Sequence, residues 1–146
     1  MEKVTKREWY ETLISDMQTA LEYEFYLEAI FIEYILIDDR LKSICKHTSI
    51  SIGDHEMMGS ILRKIKDYIE ERPGGILVGC LNNAVLMENI GKWKDERNTW
   101  MHNAGNDKLS YEDYKGEVKE LALDGQKLAK ELCNAVQRLR KQAEKI

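Results

Sequence analysis

Lys92 to Asn103 reads KWKDERNTWMHN and places Arg97, Asn98 and His102 beside two tryptophans, Trp93 and Trp100. An arginine supplies a fixed positive charge for a phosphate, and a histidine supplies a proton donor or acceptor near neutral pH. An asparagine can orient either of them. These are the groups that metal-independent cleavage of RNA needs. One takes the proton of the 2′-hydroxyl or protonates the leaving 5′-oxygen, and the other stabilises charge on the phosphorane-like transition state. Arg97 and His102 are five positions apart, about 140° round an ideal helix, so a straight helix aims both at one spot only with help from the long arginine side chain. Asn98 and His102, four apart, share a face. Asn103, Ala104, Gly105 and Asn106 place the helix end near His102, where the helix dipole favours positive charge.

The elements that must carry this stretch are helical. Thr5 and Glu8 have capping-box spacing, and Trp9, Leu13, Met17 and Leu21 then fall on one face, which predicts a first helix from about Lys6 to Glu22. Leu27, Ile30, Tyr34, Ile37, Leu41 and Ile44 follow as a heptad seam, with Phe31, Ile32, Ile35 and Leu36 on its flanks, and mark a central second helix. Tyr23 to Tyr26 holds no glycine or proline, so a tight turn, a kink and a continuous helix all stand as readings. A serine- and threonine-rich loop from His47 to Gly53 precedes a third helix marked by Ile61, Leu62, Ile65, Tyr68 and Ile69, which stops before Pro73. From Ile76 an apolar segment leads past Gly91 into the motif, read as one long helix bent at Asn89 to Gly91. After a loop from Asn103 to Leu109, Ser110 and Asp113 have N-cap spacing. Tyr114, Val118, Leu121, Leu128, Leu132, Val136 and Leu139 then predict a last helix close to thirty residues long. Gly125 lies on that seam where a larger residue is expected, which predicts close approach of a neighbouring helix.

The expected fold is therefore an all-α, up-and-down bundle of four to five helices forming one domain over residues 1–146. A net charge of -4 and a pI near 5.5 exclude a protein that grips duplex nucleic acid over a wide face by charge alone, while leaving room for a local basic site. Cys45, Cys80 and Cys133 match neither a disulfide framework nor a short zinc spacing, and read as reduced small hydrophobes of a cytoplasmic protein. The N-terminus, MEKVTKREWYE, lacks the apolar core of a secretory signal. The longest apolar run, Ala29 to Ile37, is interrupted by Glu33, so no membrane span is expected.

An arginine and a histidine at this spacing arise readily by chance in a chain with seven arginines and three histidines, so context carries the weight. The sequence R97-N98-T99-W100-M101-H102 resembles the R-x4-6-H motif of the HEPN (higher eukaryotes and prokaryotes nucleotide-binding) superfamily, down to the polar residue that follows the arginine. In that family the motif lies late in a small all-α bundle, ahead of the last helix. The run EAIFIEYILIDDRLKSI, Glu28 to Ile44, also resembles the family's second helix, in which an acidic pair followed by Arg-Leu ends an apolar stretch. The resemblance implies that Arg97 and His102 are catalytic, that Asn98 supports them, and that neither metal nor cofactor takes part. It further implies a homodimer with one composite site built from two motifs, RNA as substrate, and a setting such as a toxin–antitoxin pair or antiphage defence in which a partner protein restrains the nuclease. A twofold axis would also bring together groups that one helix splays apart.

Other residues have blander readings beside the sharp ones. Trp93, Trp100 and Met101 divide evenly between dimer interface and ordinary core. Glu33 reads as a paired or rim carboxylate sooner than a catalytic base, because an unpaired buried charge costs several kcal/mol. Asp38, Asp39 and Arg40 read as a structural ion-pair cluster near the site sooner than as chemistry. A di-iron bundle would need Glu-x-x-His on two helices, and none of the three histidines follows that spacing. His47 and His55 read as solvated. The stretch Lys127 to Lys145 carries a local excess of positive charge (Lys127, Lys130, Arg138, Arg140, Lys141, Lys145), and with Lys92 and Lys94 it could help to hold RNA, although Asp95 and Glu96 oppose them. The competing function is a non-catalytic HEPN-like module for nucleotide binding or dimerisation.

Overall fold

The computed structural model describes residues 4–81, 84–103 and 110–144, and every regular element among them is helical. Helix α1 (Lys6–Glu22) opens with the expected capping box. The Glu8 amide donates to Thr5 Oγ1 at 3.2 Å and the Thr5 amide donates to Glu8 Oε2 at 2.9 Å. The chain then turns sharply, with Glu24 in the left-handed region at φ 62°, and α2 (Tyr26–Thr48) begins. The junction is thus a tight turn. Ser49, at φ 59°, ends α2 with its amide bonded back to the Cys45 carbonyl.

Helix α3 (Met58–Glu71) stops before Pro73 as expected, since proline disfavours a helical residue ahead of it. The following segment departs from the sequence reading. A short α4 (Ile76–Cys80) is separated from α5 (Val85–Asn103), and α5 runs through Gly91 without a break. The interruption lies at Ala84, which takes φ 72°, rather than at Asn89–Gly91. Gly91 neither bends the helix nor is required by packing, because a Cβ there would make only an ordinary contact with Leu62 of α3. Helix α6 (Tyr111–Glu144, 34 residues) starts where Ser110 Oγ accepts the Asp113 amide at 3.1 Å, and spans about 50 Å.

Helices α2 and α6 form the axis of an all-α bundle. On it pack α1 (against α2), α5 and α4 (against α6), and α3, which bridges α2 and α5. The core seam of α2, Ile30, Ile37, Leu41 and Ile44, is fully buried together with Leu121, Leu132, Val136 and Leu139 of α6. A satellite cluster of Met17, Ile32 and Leu36 holds α1 to the opposite flank of α2. The seam prediction fails at its start, since Leu27 and the flanking Phe31 are 45% and 60% exposed. No helix among the described residues is long and apolar enough to cross a membrane.

Candidate functional site

The motif occupies the last three turns of α5, and its residues divide between core and surface in the order that helix geometry dictates. Trp93 is buried and its indole N–H donates to the Leu121 carbonyl at 2.9 Å, which fixes α5 to α6. That places Trp93 in the core. One turn later, on the same face, Arg97 is half-buried. Its guanidinium lies over the ring of Tyr34 of α2 at 4.1 Å, and Nη1 donates to Asn98 Oδ1 at 3.1 Å. Its Nε is buried and meets no acceptor. Asn98 therefore contacts the arginine.

The carboxylates beside Arg97 in sequence point elsewhere, because successive helical residues diverge by about 100°. Asp95 pairs with Lys94 at 3.1 Å, and Glu96 lines a groove between α5 and α6. Among the described residues no carboxylate lies within ion-pair distance of Arg97, so its charge is held by an aromatic face and an amide. Trp100 is half-buried, edge-on to Tyr114 of α6 at 5.5 Å, and the Tyr114 hydroxyl is buried without a partner among the described residues. Met101 and His102 are exposed, with His102 on the final turn of α5. Residues 104–109, expected from the sequence as a loop, lie outside the described residues.

The two lysines flanking the motif face other elements. Lys94 reaches α3, where its Nζ would lie 3.1 Å from a Cβ placed on Gly59, and Lys92 lines the grooves on either side of α5. On α6, Arg138 donates to the Cys80 carbonyl at 2.9 Å, while Lys127, Lys130, Arg140 and Lys141 are exposed. Lys145 lies outside the described residues.

Asp38, Asp39 and Arg40 form the ion-pair cluster that their spacing suggested. Asp39 accepts from Arg40 at 3.0 Å and from the Tyr10 hydroxyl, and it pairs with Lys6 at 3.4 Å. Arg40 stacks on Tyr10 at 4.3 Å, and Lys42 pairs with Asp38 at 2.7 Å. The contacts of Asp39 and Arg40 with Lys6 and Tyr10 tie α1 to α2, whereas the Lys42–Asp38 pair lies within α2. Glu33 departs from its reading as a paired or rim group. It is entirely buried, neither oxygen has a hydrogen-bond partner among the described residues, and burial, with Asp124 nearby, pushes its carboxyl up to about 9. It is a neutral acid at neutral pH.

No family model, curated protein or solved structure matches the chain. The site must therefore be argued from its own chemistry. His47 and His55 are both exposed, and burial together with Arg140, Lys46 and Arg40 lowers the His47 pKa. The three cysteines are free, and burial pushes the Cys45 thiol up to about 11, which suits an inert core residue. Among the described residues no three His, Cys, Asp or Glu side chains gather as metal ligands.

Tyr34 is the site residue that sequence reasoning missed, since it was counted as one more seam position. Its signal was present all the same. A phenol interrupts an otherwise aliphatic seam between Ile30 and Ile37.

Proposed function

We propose that the protein is a metal-independent endoribonuclease of HEPN type that cuts single-stranded or looped RNA. The observation that carries this reading is the state of Arg97, a cation held by a ring and an amide with no carboxylate in reach among the described residues, five positions before an exposed histidine. A structural ion pair would have spent that charge internally, whereas here it remains available to an anion.

In the proposed reaction the 2′-oxygen attacks phosphorus and the bond from phosphorus to the 5′-oxygen breaks. The 2′-hydroxyl proton leaves to a base and the departing 5′-oxygen receives one, giving a 2′,3′-cyclic phosphate and a free 5′-hydroxyl. Arg97 stabilises the charge that builds on the phosphoryl oxygens, His102 carries one of the two proton transfers, and Asn98 steadies the guanidinium. A second copy across a twofold axis supplies the complementary pair of groups. Support for such pairing comes from Leu27 and Phe31, exposed on the α2 face that leads to Tyr34, and from Met101 beside His102. On this reading the motif's resemblance to the HEPN superfamily implies a setting such as a toxin–antitoxin pair or antiphage defence, with the enzyme restrained by an inhibitor protein.

The deciding assay is cleavage of a mixed-sequence single-stranded RNA in EDTA by wild type, Arg97→Ala and His102→Ala, with product ends identified. Cyclic-phosphate ends from wild type, reduced at least 100-fold in either variant, are the expected outcome. Folded, dimeric wild type that binds RNA without cutting it would instead support the binding module. The half-buried packing of Arg97 on Tyr34 is the observation that favours this second reading.

A further inference from the structure

Most arginines that must hold a fixed position do so by a bidentate bond to a carboxylate. Arg97 has none among the described residues. Two contacts replace it, the face of the Tyr34 ring at 4.1 Å from the guanidinium carbon and the Asn98 amide oxygen at 3.1 Å from Nη1. The two act in different directions. The ring is planar and rigid and is anchored in α2, the central helix, so it sets the plane of the guanidinium and its height above the bundle. Asn98, on the same helix as Arg97, sets only its rotation within that plane. Nε is buried with no acceptor among the described residues, and Nη1 is engaged by Asn98.

We infer that Tyr34 is a positioning residue for Arg97, its ring face acting as the seat that keeps the guanidinium aligned with a phosphate while leaving the positive charge unneutralised. This rests on the nuclease reading and adds to it a residue on another helix that the motif does not contain. A carboxylate in the same place would align the arginine equally well but would cancel the field that must stabilise the transition state. An aromatic face attracts the cation by its quadrupole and adds no net charge. The ring face alone is needed, so the phenol oxygen is dispensable and the size and planarity of the side chain are not.

The test compares wild type with Tyr34→Phe and Tyr34→Leu for kcat and KM on single-stranded RNA in EDTA, with Tm recorded for each. Binding of a 2′-O-methylated strand, which cannot cyclise, is measured across salt concentrations. Tyr34→Phe is expected within about twofold of wild type in both constants. Tyr34→Leu is expected to lose roughly 10- to 100-fold in kcat with a smaller change in KM, as for a displaced catalytic group. Tyr34→Met, flexible and of similar bulk, gives the same comparison if Tyr34→Leu does not fold. A folded Tyr34→Leu or Tyr34→Met protein that cuts at the wild-type rate overturns the inference, whatever its Tm. So does a Tyr34→Phe variant as impaired as Tyr34→Leu, since the hydroxyl would then be the active feature. If wild type binds the methylated strand but cuts no RNA, the nuclease reading fails alone. The seat then stands if Tyr34→Leu and Arg97→Ala flatten the salt dependence equally, and it falls if Tyr34→Leu binds as wild type does or if wild type binds nothing.

Discussion

Glu33 places the sharpest electrostatic demand on this chain. Its carboxyl is sealed between α2, α5 and α6 with no hydrogen-bond partner among the described residues, and burial first, then Asp124, raises its pKa from 4.5 to about 9. Between those two values the unfolded chain carries the charge and the folded chain does not, so unfolding releases a proton. Stability must then fall as pH rises from about 4.5 toward 9, by up to about 1.4 kcal/mol per pH unit from this group. Glu33→Gln, which cannot ionise, is expected to flatten that dependence. Chemical denaturation at pH 5 and pH 8 should show the variant gaining on wild type at the higher pH, and parallel pH profiles would mean that Glu33 is already ionised in the fold. Arg97 and His102 behave differently at this scale. The proposed reaction requires them to remain available, and the Arg97→Ala and His102→Ala assays test that directly.

At the scale of elements, the packing of α2 against α6 depends on one missing side chain. A Cβ on Gly125 would collide with the Glu33 carboxyl and come within 2.8 Å of the Trp93 ring, whose indole also bonds the Leu121 carbonyl. Gly125→Ala should therefore cost about 1–3 kcal/mol through overpacking. Trimming Glu33 to alanine in the same chain should recover part of the loss. Additive losses in that double-mutant cycle would show that the two positions do not meet. Helix α1 has a simpler dependence. Its first turn is closed by the Thr5 capping box, which is worth about 1 kcal/mol there. Thr5→Ala should speed amide hydrogen exchange in α1 while leaving α2 and α6 protected.

At the scale of the whole molecule, the bundle is acidic, yet its exposed apolar residues Leu27 and Phe31 share one helix face with the Tyr34 seat of Arg97. The proposed composite site requires two copies to meet there. Phe31→Glu is expected to give a monomer by sedimentation and to lose cleavage together with self-association, at little cost to Tm because the side chain is exposed. A monomer that cuts as fast as wild type would show that one copy suffices. In cells, expression of the unrestrained wild type should slow growth and His102→Ala should relieve it. Indifference to both would favour the binding module.

Periodicity and punctuation alone determined the helices. The Thr5–Glu8 capping box, the α2 seam from Ile30 to Ile44, the stop before Pro73 and the Ser110 start were all legible, because each depends on contacts within a few residues along the chain. Gly125 as a point of close approach was legible too, since a gap in an apolar seam implies a neighbour. The Arg97–Asn98–His102 motif could also be read as a pattern. Only the tertiary structure decided what surrounds these residues. The break came at Ala84 rather than near Gly91, and the neutral burial of Glu33 and the turning of Lys94 toward α3 depend on side chains from distant helices. The seating of Arg97 on Tyr34 joins residues 63 positions apart in the chain, and no local rule of propensity or charge spacing reports which face of α5 will lie over which ring of α2.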